Sequence, residues 1–159
     1  MVQVSNKRLT AELDGPFVVF LIGARFNKWW KLHKVMPVAA AMGRMLREID
    51  AHPDIGCLGY TRLGRTTFVQ YWRSFDHLED YARRAKREHW PAWGAFNERF
   101  KHCREDLGIW HETYLIGPGQ YECIYSGMPP FGLGQVGRLV PATGSRSIGR
   151  ERLQPADST

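Results

Sequence analysis

Hydrophobic and polar positions along the chain fall into runs of two different periods. Phe17–Phe26, FVVFLIGARF, is β-branched and aromatic, follows a Gly15-Pro16 break, and is long enough for a central strand covered on both faces. In the following stretch, Val38, Met42, Met45, Leu46 and Ile49 recur in steps of three and four, and Pro37 suits a first helical turn. A helix closing near His52-Pro53 is therefore predicted. Residues 56–63 and 66–73 flank a short Gly64-Arg65 turn, and the second arm, TTFVQYWR, is strongly strand-like, so the two form a hairpin.

Asp76, with Glu79 three positions later, reads as a capping box opening a second helix. Its apolar stripe is Leu78, Tyr81, Ala82, Ala85, Ala92, Phe96, Phe100 and Cys103. Pro91 falls inside that stripe and removes a backbone donor, which predicts a kink or break beside His89. Residues 108–116, GIWHETYLI, alternate as a fourth strand that Gly117-Pro118-Gly119 ends. The order β-α-β-β-α-β is that of an α+β, ferredoxin-like sandwich.

Beyond the fourth strand the period is lost. Residues 118–141 mix aromatics with Gly and Pro and are expected to form an ordered covering loop or arm. Residues 1–141 are read as one domain, and 142–159 as a disordered tail too poor in apolar groups to offset the entropy of ordering. A length of 159 residues with 43% hydrophobic content supplies enough material for one core.

Charge and cysteine content narrow the setting. The net charge of +6 is spread along the chain rather than gathered into a stripe, so solubility is favoured over nucleic-acid binding. The three cysteines are widely spaced without a C-x-x-C pair, which suggests reduced thiols in a cytoplasmic protein. The N-terminal residues lack the continuous apolar run of a secretory signal, and the stretch from Pro16 to Ala24 is too short to span a bilayer.

Three groups of residues carry candidate chemistry. His89 shares the helical stripe with Ala85, Ala92 and Phe96. An imidazole there is suited to ligate a metal or haem iron or to act as a general base; on spacing alone the plainer role is that of a core histidine, hydrogen-bonded to a carbonyl that Pro91 frees. Arg25, Asn27, Trp29, Trp30 and His33 run from the end of the first strand into the first helix. Arg and Asn can clamp a carboxylate or carbonyl and the Trp pair offers a stacking wall, or the pair plugs the barrel mouth or a dimer contact. Trp72, His111 and Glu112 form the third group; His111 and Glu112 point to opposite faces of the fourth strand, His111 to the more apolar side with Ile109, Thr113 and Leu115. A structural hydrogen bond is the plainer role for His111. No P-loop, dinucleotide fingerprint, H-E-x-x-H or nucleophile elbow is present, and no acidic pair shares an inward face.

Taken together, ARFNKWWKLHKVMP, YWRSFDHLEDYAR, HWPAWGAFN and GIWHETYLIGPGQYECIYSGMPPFGLG resemble a bacterial family labelled monooxygenase, related to phenylacetaldoxime dehydratase-like members of the dimeric α/β-barrel superfamily. The resemblance covers roughly residues 10–141. It implies a homodimer in which the sheet packs against a second copy, with a ligand cavity between sheet and helices. It also implies a haem-dependent enzyme, monooxygenase or aldoxime-dehydratase-like, acting on a small aromatic or nitrogen-containing organic substrate. His89 would then be the axial iron ligand, Arg25 and Asn27 would orient a polar group, and Trp29, Trp30, Trp72 and Trp93, with His111, would form the cofactor's walls. A cofactor-independent monooxygenase with His89 moving a proton, and a dimeric ligand-binding protein without catalysis, are the alternatives.

Overall fold

The computed structural model describes residues 4–83, 101 and 104–153. Its frame is a four-stranded antiparallel sheet. The central strand β2 (Phe17–Phe26) is followed by α1 (Leu32–Ala51), then by the hairpin β3 (Cys57–Arg62) and β4 (Thr67–Trp72), and by α2 (Phe75–Arg83). Strand β5 (Leu107–Ile116) returns on the far side of β2, so that the order across the sheet is β3-β4-β2-β5. This is the ferredoxin-like α+β fold that the alternation predicts. The FVVFLIGARF run pairs on both edges, with β4 from Val18 to Gly23 and with β5 along its whole length, as its unbroken apolar character requires.

A short strand before β2, β1 (Leu9–Glu12), pairs antiparallel with β6 (Arg138–Pro141) in a separate ribbon. At four residues each, neither strand has enough length for alternation to show, and each exists because the other is there. Tyr125 exchanges both backbone hydrogen bonds with Leu9, at 2.9 and 2.8 Å, which ties residues 120–125 to the ribbon. The chain expected to be a tail from 142 onward continues through a turn at 144–146 and a short helix α3 (Gly149–Arg152). Arg146 reaches Glu12 and Arg152 reaches Glu122.

The sheet has a core on each face. On the helix side, Val18 and Trp72 pack with Ile49 of α1, Ile55, and Leu78 and Tyr81 of α2. On the other side, Phe17, Val69 and Tyr71 pack under Ala11 and Leu133, joined by Tyr121, Cys123, Tyr125 and Val136 of the arm. On this face the chain's own ribbon and arm cover β2, β3 and β4, while Trp110 and Tyr114 of β5 remain exposed.

Local differences from expectation have local causes. Helix α1 begins at Leu32 after a 3-10 turn at Trp29–Lys31, which places Pro37 inside the helix rather than in its first turn. Helix α2 begins one residue before Asp76, and Ser74 supplies the cap: its hydroxyl accepts the His77 backbone N–H at 3.3 Å and meets His77 Nδ1 at 2.7 Å. Gly23 interrupts a strand because the indole of Trp110, its partner on β5, lies where a Cβ would stand, 2.6 Å from Nε1.

Candidate functional site

Alternation in β2 and β4 puts Phe20, Ile22 and Gln70 on the helix side of the sheet. Above them, α1 brings Met42, Met45 and Leu46, and α2 brings Leu78, Tyr81 and Ala82. These side chains do not close on one another and leave a cavity of about 60 Å³. The walls are aliphatic, thioether and aromatic, and the polar groups among them are few. Tyr81 is committed to α1, its hydroxyl lying 3.3 Å from the Met45 carbonyl and 3.2 Å from Glu48 Oε2.

Gln70 is different. It is only 5% exposed, and its Oε1 accepts the Trp72 Nε1–H at 2.9 Å. Its Nε2 has no hydrogen-bond partner among the described residues. The signal for this residue is present in TTFVQYWR, where a lone amide stands in a strongly apolar strand on the same face as Trp72. The candidate groups drawn from the sequence leave Gln70 out.

The predicted residues are dispersed. Trp72, expected as a cofactor wall, is completely buried with its one donor satisfied, and packs on Tyr81 at 5.4 Å as a core residue. His111 lies on the helix side of β5, as expected, but it is exposed, its ring 5.6 Å from Phe20. Thr113 and Leu115 beside it are exposed as well, Leu115 at 70%, so this end of the face is open. Arg25 and Asn27 are exposed at the end of β2, and neither lines the cavity; in β2, Arg25 has the parity of Phe17 and Leu21, opposite to Phe20 and Ile22. Trp29 and Trp30 stand edge to face at 5.9 Å, 72% and 62% exposed, also away from the cavity. His89 and Trp93 lie outside the described residues.

The Trp pair is held by an electrostatic knot. The Asp106 carbonyl accepts the backbone N–H groups of Asn27 and Lys28, and its buried carboxylate receives Lys31 Nζ at 3.0 Å and Lys28 Nζ at 3.1 Å. Hydrogen bonds from Lys31 and then Lys28 hold the Asp106 carboxyl down at about 2. The knot joins the end of β2 to the start of β5 and makes the Trp29-Trp30 segment a fixed spur.

The described residues provide part of what haem needs. The open His111–Leu115 end of β5 and the apolar cavity wall could lie against a flat apolar group, but the cavity is below the roughly 300–1,000 Å³ of small-molecule and cofactor pockets. His89, the expected iron ligand, lies outside the described residues. Among the described residues, no cluster of three or more His, Cys, Asp or Glu side chains is arranged to hold a metal ion, and no helix is long and apolar enough to cross a membrane.

Solved structures with this fold include a crystal structure of an aldoxime dehydratase in complex with butyraldoxime. It is 17% identical, with a TM-score of 0.59 over 96% of this chain and 44% of that one. A second aldoxime dehydratase structure gives 17% identity and a TM-score of 0.58 over 96% and 45%. The chain spans less than half the length of these enzymes, and at this identity the likeness is one of fold. No curated protein matches the sequence. The family model described as monooxygenase af470-like matches residues 17–133, from the start of the central strand into the covering arm, and the chain belongs to that family.

Proposed function

We propose that this chain is a small enzyme of the monooxygenase or aldoxime-dehydratase kind, acting on a small aromatic or nitrogen-containing molecule with haem held by His89. The observation that carries this reading is the apolar cavity between α1, α2 and the sheet, next to the open end of β5. His89 is six positions beyond Arg83 in sequence, and the described part of α2 packs on this same side of the sheet. The family description and the shared fold of the aldoxime dehydratases support the reaction class.

Haem, when bound, supplies an iron centre for oxygenation or oxime dehydration. The chain's own contribution is to exclude water with Phe20, Ile22, Met42, Met45 and Leu46 and to keep the ligand's apolar part against the sheet. A homodimer in the cytoplasm belongs to the same proposal. Its contact would use β5, where Trp110 and Tyr114 are uncovered on the ribbon side and Leu115 on the helix side.

The purified protein is expected to show a Soret band that disappears in His89→Ala. A colourless protein that takes up no added haemin overturns the haem assignment. The modest cavity volume favours one second reading, a cofactor-independent monooxygenase. Native mass spectrometry separates the two, since it reports haem or its absence and the dimer in one measurement.

A further inference from the structure

We infer that Gln70 is the polar reader of the helix-side cavity, donating from Nε2 to the acceptor atom of an uncharged, mainly aliphatic ligand whose head enters between β2, β4 and α1. The inference deepens the functional reading and rests on its pocket, not on haem.

The orientation of the amide follows from its neighbour. An indole nitrogen only donates, so the atom 2.9 Å from Trp72 Nε1 must be the Gln70 oxygen, and the NH2 group is directed away from Trp72. Trp72 is fully buried and has no other donor, so it holds the amide in this sense permanently. Two N–H bonds are thereby presented in a cavity lined by Phe20, Ile22, Met45 and Leu78 with no protein acceptor among the described residues. A buried donor left unpaired is costly, and native proteins seldom leave one without an occupant.

Several occupants can be compared. A water molecule needs two to four polar partners, and these walls offer it Gln70 and a Tyr81 hydroxyl already engaged with α1. A carboxylate or phosphate would be buried with no cation among the residues that line the cavity. A neutral acceptor such as a carbonyl, nitrile or oxime oxygen or nitrogen fits both the donor and the apolar surroundings. The volume of about 60 Å³ is small against the roughly 300–1,000 Å³ of ligand pockets, so the cavity takes the head of a ligand rather than the whole. Met42 and Met45 give its walls room to adapt to different chains.

The test titrates the full-length chain with 2-butanone and with its hydrocarbon isostere 2-methyl-1-butene, following the side-chain amide signals of Gln70 by 15N–1H NMR. The expected result is movement of those signals with butanone and a preference for it of about tenfold or more, the effect of one buried hydrogen bond. In Gln70→Met, checked for folding by its circular dichroism melt, the preference falls to about one. Equal affinity for the two compounds in the wild-type chain, binding of neither, or amide signals that stay in place each overturn the inference without need of the variant. The Soret spectrum is read independently, so loss of the haem reading and loss of the Gln70 reading are distinguishable.

Discussion

The two faces of the four-stranded sheet are both apolar, but among the described residues their buried polar groups fare differently. On the ribbon side each buried polar group meets a partner. Tyr121 accepts the Leu13 N–H at 2.6 Å, Tyr125 accepts the Gly134 N–H at 2.8 Å, the Leu133 backbone reaches the Tyr71 hydroxyl, and Thr61 donates to Gln135 Oε1 at 2.7 Å. Burial pushes all three phenols above their ordinary pKa, as expected for hydroxyls that work as neutral hydrogen-bond groups. On the helix side the same kind of accounting ends at Gln70, beside a cavity. Over β2, β3 and β4 the ribbon side is packed and paired, whereas on the helix side the described residues leave one donor beside a hollow.

The largest effects should come from the anchors of the two cores. Trp72→Ala and Phe17→Ala are each expected to cost about 3–5 kcal/mol in urea unfolding, because each removes a buried aromatic ring from a packed cluster. They should differ in binding: Trp72→Ala releases the Gln70 amide and loses the butanone preference, while folded Phe17→Ala retains it. The opposite pattern would break the contrast between the faces. Tyr121→Phe, which leaves the Leu13 N–H without its partner, is expected to lower stability by about 1 kcal/mol with ligand binding unchanged. Ser74→Ala removes the cap of α2 and should likewise cost about 1 kcal/mol; since α2 forms one wall of the cavity, binding should weaken with it, which titration of the variant would show.

One further effect lies outside both faces and is read in acid. The Asp106 carboxyl is held at about 2 in the folded chain against an ordinary 3.8, so the unfolded chain takes up this proton first as the solution is acidified. The stabilisation is therefore complete above about pH 4 and is lost as the pH falls towards 2. Unfolding measured from pH 5 to 2 should show a steeper loss for the wild-type chain than for Asp106→Asn; parallel curves would show that the lysine knot contributes nothing.

How far these features could be read in advance varied with the range of the forces involved. Strand β2 was legible to the residue, and β4 and β5 nearly so, because each carries a long alternating or wholly apolar run. The start of α1 was displaced because Lys28 and Lys31 are fixed by Asp106, far along the chain, and this draws the helix back to Leu32. The cap of α2 was misread for a subtler reason: Asp76 and Glu79 have the right spacing, but Ser74 is the hydroxyl that meets a free N–H. The ribbon of β1 and β6 left no local trace, since Leu9 pairs with Pro141.

The order of elements, the ferredoxin-like class and the placement of apolar side chains on two faces of a sheet were written in periodicity, which depends only on near neighbours along the chain. Tertiary structure alone decided that Trp72 belongs to the core, that Arg25 and the Trp29-Trp30 pair stand away from the cavity, and that Gln70 faces into it. Whether a buried polar group is satisfied depends on atoms brought from distant parts of the chain, and no local pattern of residues encodes that.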